Sequence, residues 1–593
     1  MRQTDHVNNL WEAMKKDQQK EMIDHLKKQA AYFLSHSSSQ TSFQTFRQFQ
    51  TTGERSTFEQ LYFERRKRLT TFGLLSYIDP DNALFLTPLE NEIWQVCQEF
   101  TWCLPAHLDQ QMEGQSYEAY QQSNTLKYTI DLFAAETAFS LAEIIYLLEE
   151  RLDSFLIDQT KIEIDRRVLR NFINNGPFHW ERADHNWASV CAGSVGAAAI
   201  YMLEDQNQLD MVLERVVCSM EHYLNGFAAD GACTEGYSYW QYGFGYFIYF
   251  FDLLERATGD IHEFFDSDKV RKIAQFQQHI FLAGNHVINF SDAAPFAKPM
   301  LGFTHYLHKK FPEIHIPMKE AGQREIVDHC GRWAPAFREL QWYESEWQGT
   351  GWPDTSALFE QSSVFTSRIT HNGHTYAFAA KGGHNNEPHN HNDIGHFVLF
   401  GGGEVFLKDL GAGQYNKAYF SDKRYNFICN SGKGHSIPII NGQTQLHGER
   451  YQAIIQQAEG FSDKEIFQLN MTKAYSDSTL IHFDRLFVLE KSQLPVLTLT
   501  DRFHFTTKPS SVIENFILQD MAYDIGNNHI VLKGEEQSLK ISFGSSIKPR
   551  ITRKTFINHQ GEEEAFLQLQ ITLQKINIEM ETTIVFEFCS CHS

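Results

Sequence analysis

The sequence contains no hydrophobic run long enough to cross a membrane. Its longest apolar stretch, Phe244–Phe251, ends at Asp252, far short of the roughly 20 residues that a transmembrane helix needs. Charged side chains interrupt the first 28 residues, Met1–Lys28, so no apolar core of an export signal is recognisable. We therefore expect a soluble, cytoplasmic protein that has no membrane partner.

Paired cysteines and an excess of basic residues are also lacking. The nine cysteines are scattered and have no CxxC spacing, which is typical of reduced thiols. The chain has 52 Lys and Arg residues against 74 Asp and Glu residues, a formal charge of −22. A surface this acidic repels nucleic acid, so we expect no nucleic-acid partner. The oligomeric state stays open, and a homo-oligomer is compatible with the sequence.

The chain divides into a helical half and a strand-rich half. Up to about residue 345, apolar residues recur at helical spacing, as between Thr129 and Leu152. Breaker residues interrupt this pattern at 348–354, and beyond them short Val-, Ile- and Phe-rich runs alternate with turn signals such as Asn372-Gly373. This half has no long helix to connect parallel strands, so an antiparallel sandwich is expected. The predicted regions are a helical domain over 1–347, a linker over 348–359 and an antiparallel β-sandwich over 360–593.

The densest cluster of chemically active side chains is the run His384–Asp393, in which one residue separates His389 from His391. In an extended segment, side chains two positions apart share a face, so we expect both imidazoles to point the same way. Together with Asp409 and His435 downstream, His391 offers two nitrogens and one oxygen, a ligand set that suits zinc. The alternative is that these are ordinary core or surface histidines, although their density favours a function.

Two further groups lie in the helical half. The segment Asp184–Trp187 precedes a helix rich in small residues, so Asn186 could cap that helix or point into a cleft. The segment 230–243 combines a turn with an aromatic stripe that includes Tyr239 and Tyr242. Without further information, such a stripe is more often core packing than part of a catalytic site.

These motifs resemble those of the heparinase II/III-like polysaccharide lyases, a superfamily that includes oligoalginate lyases. The HNW box, the DGxxxEGxxYWxYG box and the HNHND run occur in the order that this family shows. The resemblance covers nearly the whole chain. It implies a multidomain α+β fold in which an N-terminal (α/α) toroid is followed by a C-terminal antiparallel β-sandwich, with the active-site cleft between them.

The resemblance also implies a role for each site residue. Tyr239 corresponds to the catalytic tyrosine, with Tyr242 as the second choice, and His389 to the catalytic histidine. Asn186, with His185 as its assistant, corresponds to the amide that binds the substrate carboxylate. The implied zinc ligands are His391, Asp409 and His435. The residues expected to bind substrate are Tyr242, Trp187, Glu235, Asn390 and Arg424.

A basic segment of the strand-rich half could attract an anionic substrate despite the acidic surface. Five basic residues lie between positions 408 and 433, namely Lys408, Lys417, Lys423, Arg424 and Lys433. They could form a locally positive cleft, and a solvated loop is the equal alternative. Arg424 is the preferred contact for a carboxylate or sulfate, because its planar fork binds such groups at two points.

The implied reaction is a β-elimination on a 4-linked uronic acid. The enzyme would take the C5 proton and expel the O4 oxygen, so a donor such as Asn186 must neutralise the carboxylate, and Tyr239 and His389 would share the base and acid tasks. Because elimination consumes no water, the zinc is expected to be mainly structural. The expected substrate is a glycosaminoglycan-type oligosaccharide that is cleaved exolytically. The alternatives are an oligoalginate lyase, a zinc-dependent hydrolase and a non-catalytic carbohydrate-binding protein.

Overall fold

The chain forms two compact units that are interleaved along the sequence. A computed structural model describes residues 17–38, 40–108, 126–259, 261–387, 389–416, 418–544 and 549–590. The first unit comprises 1–227, 239–271 and 299–349, and the second comprises 228–238, 272–298 and 350–593. The helical half thus contributes two internal segments to the second unit, whereas the sequence pattern indicates a single boundary.

Helices build the first unit. The described α-helices, numbered in chain order, are α1 (Asp17–Ser35), α2 (Phe43–Thr52), α3 (Ser56–Ile78), α4 (Leu86–Gln98), α5 (Leu132–Leu147), α6 (Ser154–Ile164), α7 (Arg170–Asn174), α8 (Asn186–Met202), α9 (Gln206–Asn225), α10 (Tyr237–Thr258), α11 (Asp268–Ile280), α12 (Leu301–Lys310) and α13 (Trp333–Trp342). The first unit contains α10 from Tyr239 onward, whereas α11 belongs to the second unit from Lys272 onward. Within the described ranges, no helix is both long and apolar enough to span a bilayer.

Helices α5 and α8 illustrate how the sequence forms this unit. Helix α5 begins after Asp131, whose side chain accepts a hydrogen bond from the Ala134 backbone at 2.8 Å and so caps the helix. Helix α8 is rich in Gly and Ala because other helices pack against it closely. A Cβ atom added at Gly196 would lie 2.5 Å from the ring of Phe250 on α10.

Antiparallel strands build the second unit. They are β1 (Phe281–Ala283), β2 (His286–Val287), β3 (Thr355–Phe359), β4 (Val364–His371), β5 (His374–Lys381), β6 (His384–Asn385), β7 (Phe397–Gly401), β8 (Glu404–Leu407), β9 (Ile439–Ile440), β10 (Gly448–Gln452), β11 (Ile454–Gly460), β12 (Lys464–Asn470), β13 (Leu480–Glu490), β14 (Val496–Phe505), β15 (Val512–Gln519), β16 (Tyr523–Ile525), β17 (His529–Lys533), β18 (Gln537–Ser542), β19 (Pro549–Ile557), β20 (Glu563–Thr572) and β21 (Glu579–Ser590).

Two large sheets of these strands face each other across an aromatic core. One sheet has the order β11-β12-β13-β14-β21-β18-β17-β16, and the other has the order β19-β20-β15-β8-β7-β5-β4-β3, with β9 paired to β15. Phe397 of the second sheet contacts Phe487 and Phe586 of the first, with ring centroids 5.2 and 5.6 Å apart. The predicted antiparallel sandwich is therefore confirmed.

The hairpin between β4 and β5 follows from its turn residues. Asn372 and Gly373 both have positive φ, 53° and 82°, as a two-residue hairpin turn of this twist requires. The apolar runs of the sequence also predict strands at His396–Phe400, Glu404–Leu407, Leu480–Leu489 and Val496–Phe503. Each corresponds to an observed strand within two residues at either end. The local pattern therefore locates these strands correctly.

Candidate active-site residues and metal centre

Three separate segments of the second unit supply one cluster of charged and imidazole side chains. Glu235 comes from 228–238, Asp292 from 272–298, and the remaining residues from the sandwich region beyond 350. Both short segments belong to the helical half of the sequence. Within the second unit, each of these segments brings a carboxylate to His389.

Asp292 lies at the centre of this cluster and has no exposed side-chain surface. One of its oxygens, Oδ1, is 2.9 Å from His391 Nε2, and the other, Oδ2, is 2.8 Å from His389 Nδ1. Burial alone would raise the pKa of this carboxyl. The hydrogen bonds from both imidazoles and the charge of Arg424 outweigh burial and hold the pKa far below its usual range.

His389 lies in a tight turn and not in an extended segment. Its φ is 55°, in the left-handed region, so the expected strand-like alternation with His391 is wrong. The two imidazoles nevertheless meet, because both contact Asp292. The His389 side chain is 21% exposed, and its Nε2 atom lies 3.4 Å from a carboxylate oxygen of Glu235. His389 is therefore the imidazole of this pair that remains partly accessible.

His391 and His435 each have one nitrogen that is held by an acceptor and one that is not. His391 Nε2 faces Asp292, and His435 Nδ1 lies 2.9 Å from the carbonyl oxygen of Ser431. Among the described residues, no hydrogen-bond partner reaches His391 Nδ1 or His435 Nε2, although both side chains are fully buried. An acceptor fixes the proton on the ring nitrogen that faces it, so the other nitrogens, His391 Nδ1 and His435 Nε2, carry the lone pairs.

Asp409 completes this donor set. Its buried Oδ2 atom lies 3.7 Å from His435 Nε2 and 3.2 Å from His396 Nε2. Two ligands of a tetrahedral zinc ion, each about 2.0–2.1 Å from the metal, are about 3.4 Å apart. Burial would raise the pKa of Asp409, but the hydrogen bond from His396 and the neighbouring histidines lower it. Burial lowers the pKa of His435 to about 4, which keeps this imidazole neutral and able to bind a metal.

Two further residues adjoin this candidate centre. Asp393 has an oxygen within 4.8 Å of the ligand atoms of His391 and His435, but it also forms an ion pair with the buried Lys381 at 2.9 Å. His396 Nδ1 accepts a hydrogen bond from the Ser436 backbone at 2.8 Å. Its proton is therefore on Nε2, 3.2 Å from Asp409, so His396 orients that carboxylate and is unsuited to ligate the metal itself. At this centre, the described ligand atoms that lie within 4.8 Å of one another belong to His391, Asp393 and His435. Imidazole and carboxylate donors of this kind suit zinc, and Asp409, beside His435, stays a predicted ligand.

Two of the four described residues of the basic segment form ion pairs with carboxylates of the protein. Arg424 forms an ion pair with Asp292 at 3.0 Å and stacks over the ring of Tyr419 at 4.5 Å. Lys408 pairs with Glu564. Lys423 and Lys433 are exposed, and Lys417 lies outside the described residues. Arg424 thus binds a carboxylate, as its fork suggests, but this carboxylate belongs to the protein.

Asn390 lies beside this arginine. It is buried, and its backbone oxygen accepts a hydrogen bond from Arg424 Nε at 3.0 Å. Its side-chain amide donates to the Tyr425 hydroxyl at 3.4 Å. The expected substrate-binding roles of Asn390 and Arg424 stay predictions.

In the first unit, the HNW box lies at the start of α8. His185 is the cap residue, and its Nδ1 lies 3.4 Å from the Trp187 backbone nitrogen. Asn186 is therefore not the cap, and it is buried as the first helical residue. Trp187 is partly exposed and contacts the rings of His107 and His179. An amide at this position lies where the helix dipole favours an anion.

Helix α10 packs against this helix start through Gly243. A Cβ atom at Gly243 would lie 3.1 Å from Asn186 Cβ, and the Gly243 carbonyl accepts a hydrogen bond from the Ser189 hydroxyl at 2.7 Å. Tyr239 lies one turn before Gly243, so both are on the same face of α10. The last glycine of the DGxxxEGxxYWxYG box therefore permits the close approach that brings this face to Asn186.

Tyr242 is held by a buried ionic network instead. Its hydroxyl donates to Glu136 at 2.6 Å, and Arg332 Nε reaches the same oxygen at 3.1 Å. Burial and the adjacent Glu136 raise the pKa of Tyr242 well above its usual value. The Tyr242 hydroxyl therefore keeps its proton, and it donates this hydrogen to Glu136.

The site residues fall into two groups. The first unit contains His185, Asn186, Trp187, Tyr239 and Tyr242, and the second contains Glu235, His389, Asn390, His391, Asp409, Arg424 and His435. Each group is assembled within its own unit, and the convergence of both groups on one sugar ring stays a prediction. The motifs did not identify Asp292. The available signal is the single charged residue in the stretch 287–296, which is mostly apolar apart from Asn289 and Ser291.

Comparison with known proteins identifies the fold. No protein-family model matches the sequence, and no curated protein matches it. Heparan sulfate lyase HepC from Pedobacter heparinus is similar with a TM-score of 0.62 and 12% identity, over 98% of this chain and 84% of that one. A heparinase III gene product has a TM-score of 0.62 and 13% identity, over 96% of this chain and 84% of its own.

A chondroitin AC lyase from Streptomyces coelicolor A3 is also similar. Its TM-score is 0.54 at 10% identity, and the match covers 99% of this chain and 83% of that chain. At these identities the likeness establishes the fold alone. The predicted helical toroid followed by an antiparallel β-sandwich is therefore confirmed.

Proposed function

We propose that the protein is a polysaccharide lyase that cleaves 4-linked uronic acid glycans by β-elimination and leaves an unsaturated uronate. The observation that carries the proposal is the His389 imidazole, which Asp292 holds through Nδ1 and which remains partly accessible. It occurs on a fold similar to solved structures of a heparan sulfate lyase and a chondroitin AC lyase. A partly exposed imidazole with a carboxylate behind it is suited to proton transfer.

The reaction removes a weakly acidic proton next to an ionised carboxylate. Donors must therefore neutralise the carboxylate as negative charge develops. Asn186 suits this task, because its amide lies at the start of α8, where the backbone amides and the helix dipole also favour an anion. His185, the exposed cap residue, is in a position to assist it.

Tyr239 is the proposed catalytic tyrosine. It shares a face of α10 with Gly243, which packs on Asn186, whereas the hydroxyl of Tyr242 is committed to Glu136. Tyr239 would protonate the leaving O4 oxygen, and either Tyr239 or His389 would remove the C5 proton, according to the face of the sugar that carries it.

His391, Asp409 and His435 would hold a zinc ion with a mainly structural role. When bound, the ion supplies fixed coordination bonds that anchor the loop containing His389. Elimination needs no activated water, so the reacting proton is moved by side chains of this chain alone. The buried lone pairs of His391 Nδ1 and His435 Nε2 support this assignment.

The proposed substrates are glycosaminoglycan-type oligosaccharides, cleaved exolytically. Solved structures named as heparan sulfate and chondroitin lyases share the fold. Oligoalginate is the alternative substrate, because the same elimination applies to any 4-linked uronate.

One assay tests the reaction class. The protein is incubated with heparan sulfate, chondroitin, hyaluronan and alginate oligosaccharides while ultraviolet absorbance and new reducing ends are followed together. The expected result is a rise in both, because the new C4=C5 bond is conjugated with the carboxylate. New reducing ends without absorbance would instead identify a zinc hydrolase, for which the His391, Asp409 and His435 set is also suited. Binding without any cleavage would identify a carbohydrate-binding protein.

The product sizes in the same assay test the mode of cleavage. An exolytic enzyme releases one small product from the earliest time point, whereas an internal cut shortens the whole population first. Tyr239→Phe serves as the matched control, since it removes a single hydroxyl group and is expected to give no absorbance rise.

A further inference from the structure

We propose that Asp292 is a positioning residue that sets the proton of both His389 and His391 on defined nitrogens, and so ties the proposed catalytic imidazole to the proposed metal ligand. This inference rests on the proposed function. Asp292 comes from the helical half of the sequence, 97 positions before His389 and 99 before His391. It belongs to none of the motifs that indicate the site.

The contacts of Asp292 fix the direction of every hydrogen bond it makes. Besides the two imidazoles, it accepts from the hydroxyls of Tyr415 at 3.1 Å and Tyr419 at 2.5 Å, and from Arg424 Nη2 at 3.0 Å. An ionised carboxylate accepts only, and it offers about four lone-pair sites. Five donors therefore saturate it, and each partner must point a hydrogen at it.

This arrangement determines which imidazole nitrogens remain available. His389 must carry its proton on Nδ1, which leaves Nε2 as the nitrogen directed away from Asp292. His391 must carry its proton on Nε2, which leaves Nδ1, the buried atom without a described partner, for a metal. A carboxylate behind a metal-bound histidine raises its basicity and fixes its ring. The Asp292 carboxylate orients both rings, because its Oδ2 atom faces His389 and its Oδ1 atom faces His391.

Arg424 makes the arrangement stable in a buried setting. The side chain of Asp292 is fully buried, and an uncompensated charge there would be costly. The guanidinium at 3.0 Å supplies the compensating charge, and its stacking on Tyr419 fixes its plane. Arg424 therefore supports Asp292.

The substitution Asp292→Asn separates this role from simple packing. An asparagine of the same size offers one acceptor oxygen and one donor NH2 group, so it cannot accept from both imidazoles. Whichever ring faces the NH2 group must move its proton to its other nitrogen. If that ring is His391, its Nδ1 becomes protonated and unable to bind zinc. If it is His389, Nε2 becomes the protonated nitrogen.

The first measurement uses the unaltered protein. Long-range 1H–15N spectra of chain labelled with 15N-histidine report which nitrogen of each ring carries the proton, and His389→Gln and His391→Gln identify the two signals. The expected result is a protonated Nδ1 for His389 and a protonated Nε2 for His391. A His389 ring without a proton on Nδ1 would overturn the proposal, and this result does not depend on the folding of any variant.

The second measurement compares Asp292→Asn with Tyr415→Phe, which removes one hydroxyl donor from the same carboxylate and leaves both imidazole contacts. For Asp292→Asn we expect a zinc affinity about 10- to 100-fold lower or a shifted His389 proton, with kcat reduced about 10-fold or more and KM nearly constant. Tyr415→Phe is expected to keep both proton positions and the zinc. Unchanged zinc affinity and proton positions in Asp292→Asn would contradict the proposal. If the unaltered protein forms no unsaturated product, the proposed function fails, while the zinc and spectroscopic results still decide the role of Asp292.

Discussion

At the scale of single residues, the proposed metal centre depends on which nitrogen of His391 and of His435 carries a lone pair. His391 and His435 are fully buried, each has a ring nitrogen without a described hydrogen-bond partner, and their ligand atoms lie within 4.8 Å of each other. Two buried lone pairs without a donor are unfavourable unless a cation occupies the space between them. The geometry thus favours metal binding over a purely structural role for these histidines.

The substitution His391→Ala tests the metal centre. We expect bound zinc to fall below one equivalent and the melting temperature to fall with it, because one ligand and its hydrogen bond to Asp292 are lost together. Metal analysis after dialysis and thermal unfolding measure the two effects. His504→Ala is the control, since His504 is 45% exposed on the sandwich and should leave both unchanged. Zinc loss with full stability and activity would overturn the structural role of the metal.

The two tyrosines of α10 are expected to behave differently when each is replaced by phenylalanine. Tyr239→Phe should abolish turnover with little change in substrate binding, because only the reacting hydroxyl is lost. Tyr242→Phe should lower the free energy of unfolding by about 1–3 kcal/mol, since Glu136 loses a buried hydrogen bond. Steady-state kinetics and chemical denaturation distinguish the two. Loss of turnover only in Tyr242→Phe would reverse the assignment.

At the scale of elements, the approach of α10 to α8 depends on glycines that leave no room for a Cβ atom. At Gly196 the added atom would lie 2.5 Å from Phe250 and 3.0 Å from Val216, both in neighbouring helices. Because protein interiors are close-packed, such an atom forces either ring rotation or helix displacement.

The substitution Gly196→Ala is therefore expected to destabilise the protein by about 1–3 kcal/mol, although alanine has the higher helix propensity. Denaturant unfolding monitored by circular dichroism measures the change. Gly351→Ala is the control, because no atom lies within 4 Å of the added Cβ and its φ is not positive. A stabilised Gly196→Ala protein would show that propensity outweighs packing at this contact.

At the scale of the whole molecule, one buried carboxyl makes stability depend on pH. Glu339 lies in α13 with no exposed surface, and burial raises its pKa to about 7 despite hydrogen bonds from the backbone of residues 301–303. The unfolded value is about 4.3, so the folded state binds the proton more tightly. The associated stability is complete below the unfolded pKa and is lost as the pH rises through 7.

We therefore expect the melting temperature to fall between pH 5 and pH 8, mostly below pH 7, and Glu339→Gln to remove part of this dependence. The whole contribution is on the order of 3–4 kcal/mol, since the pKa rises by about 2.7 units and each unit corresponds to about 1.4 kcal/mol. Thermal unfolding across this range measures it. Glu325→Gln, at a side chain that is 81% exposed in the same unit, should leave the profile unchanged. A parallel shift in both variants would exclude Glu339 as the source.

The sequence by itself determined the features that depend on neighbouring residues. Helical periodicity locates α5, alternation and the Asn372-Gly373 turn locate the hairpin of β4 and β5, and the HNHND run marks the histidine loop. Each signal arises within about 20 residues, because propensity, turn chemistry and side-chain period act over that range.

Only the tertiary structure decided which side chains surround these motifs. It brings Asp292 to His389 and His391 across nearly 100 positions. It also places 228–238 and 272–298 in the second unit. In the first unit, it lets the Tyr242 hydroxyl donate to Glu136. Contacts between distant segments are set by packing and by the pairing of buried charges, which leave no fixed spacing in the chain. The sequence therefore indicates the histidine loop, and the fold determines which carboxylate each of its imidazoles faces.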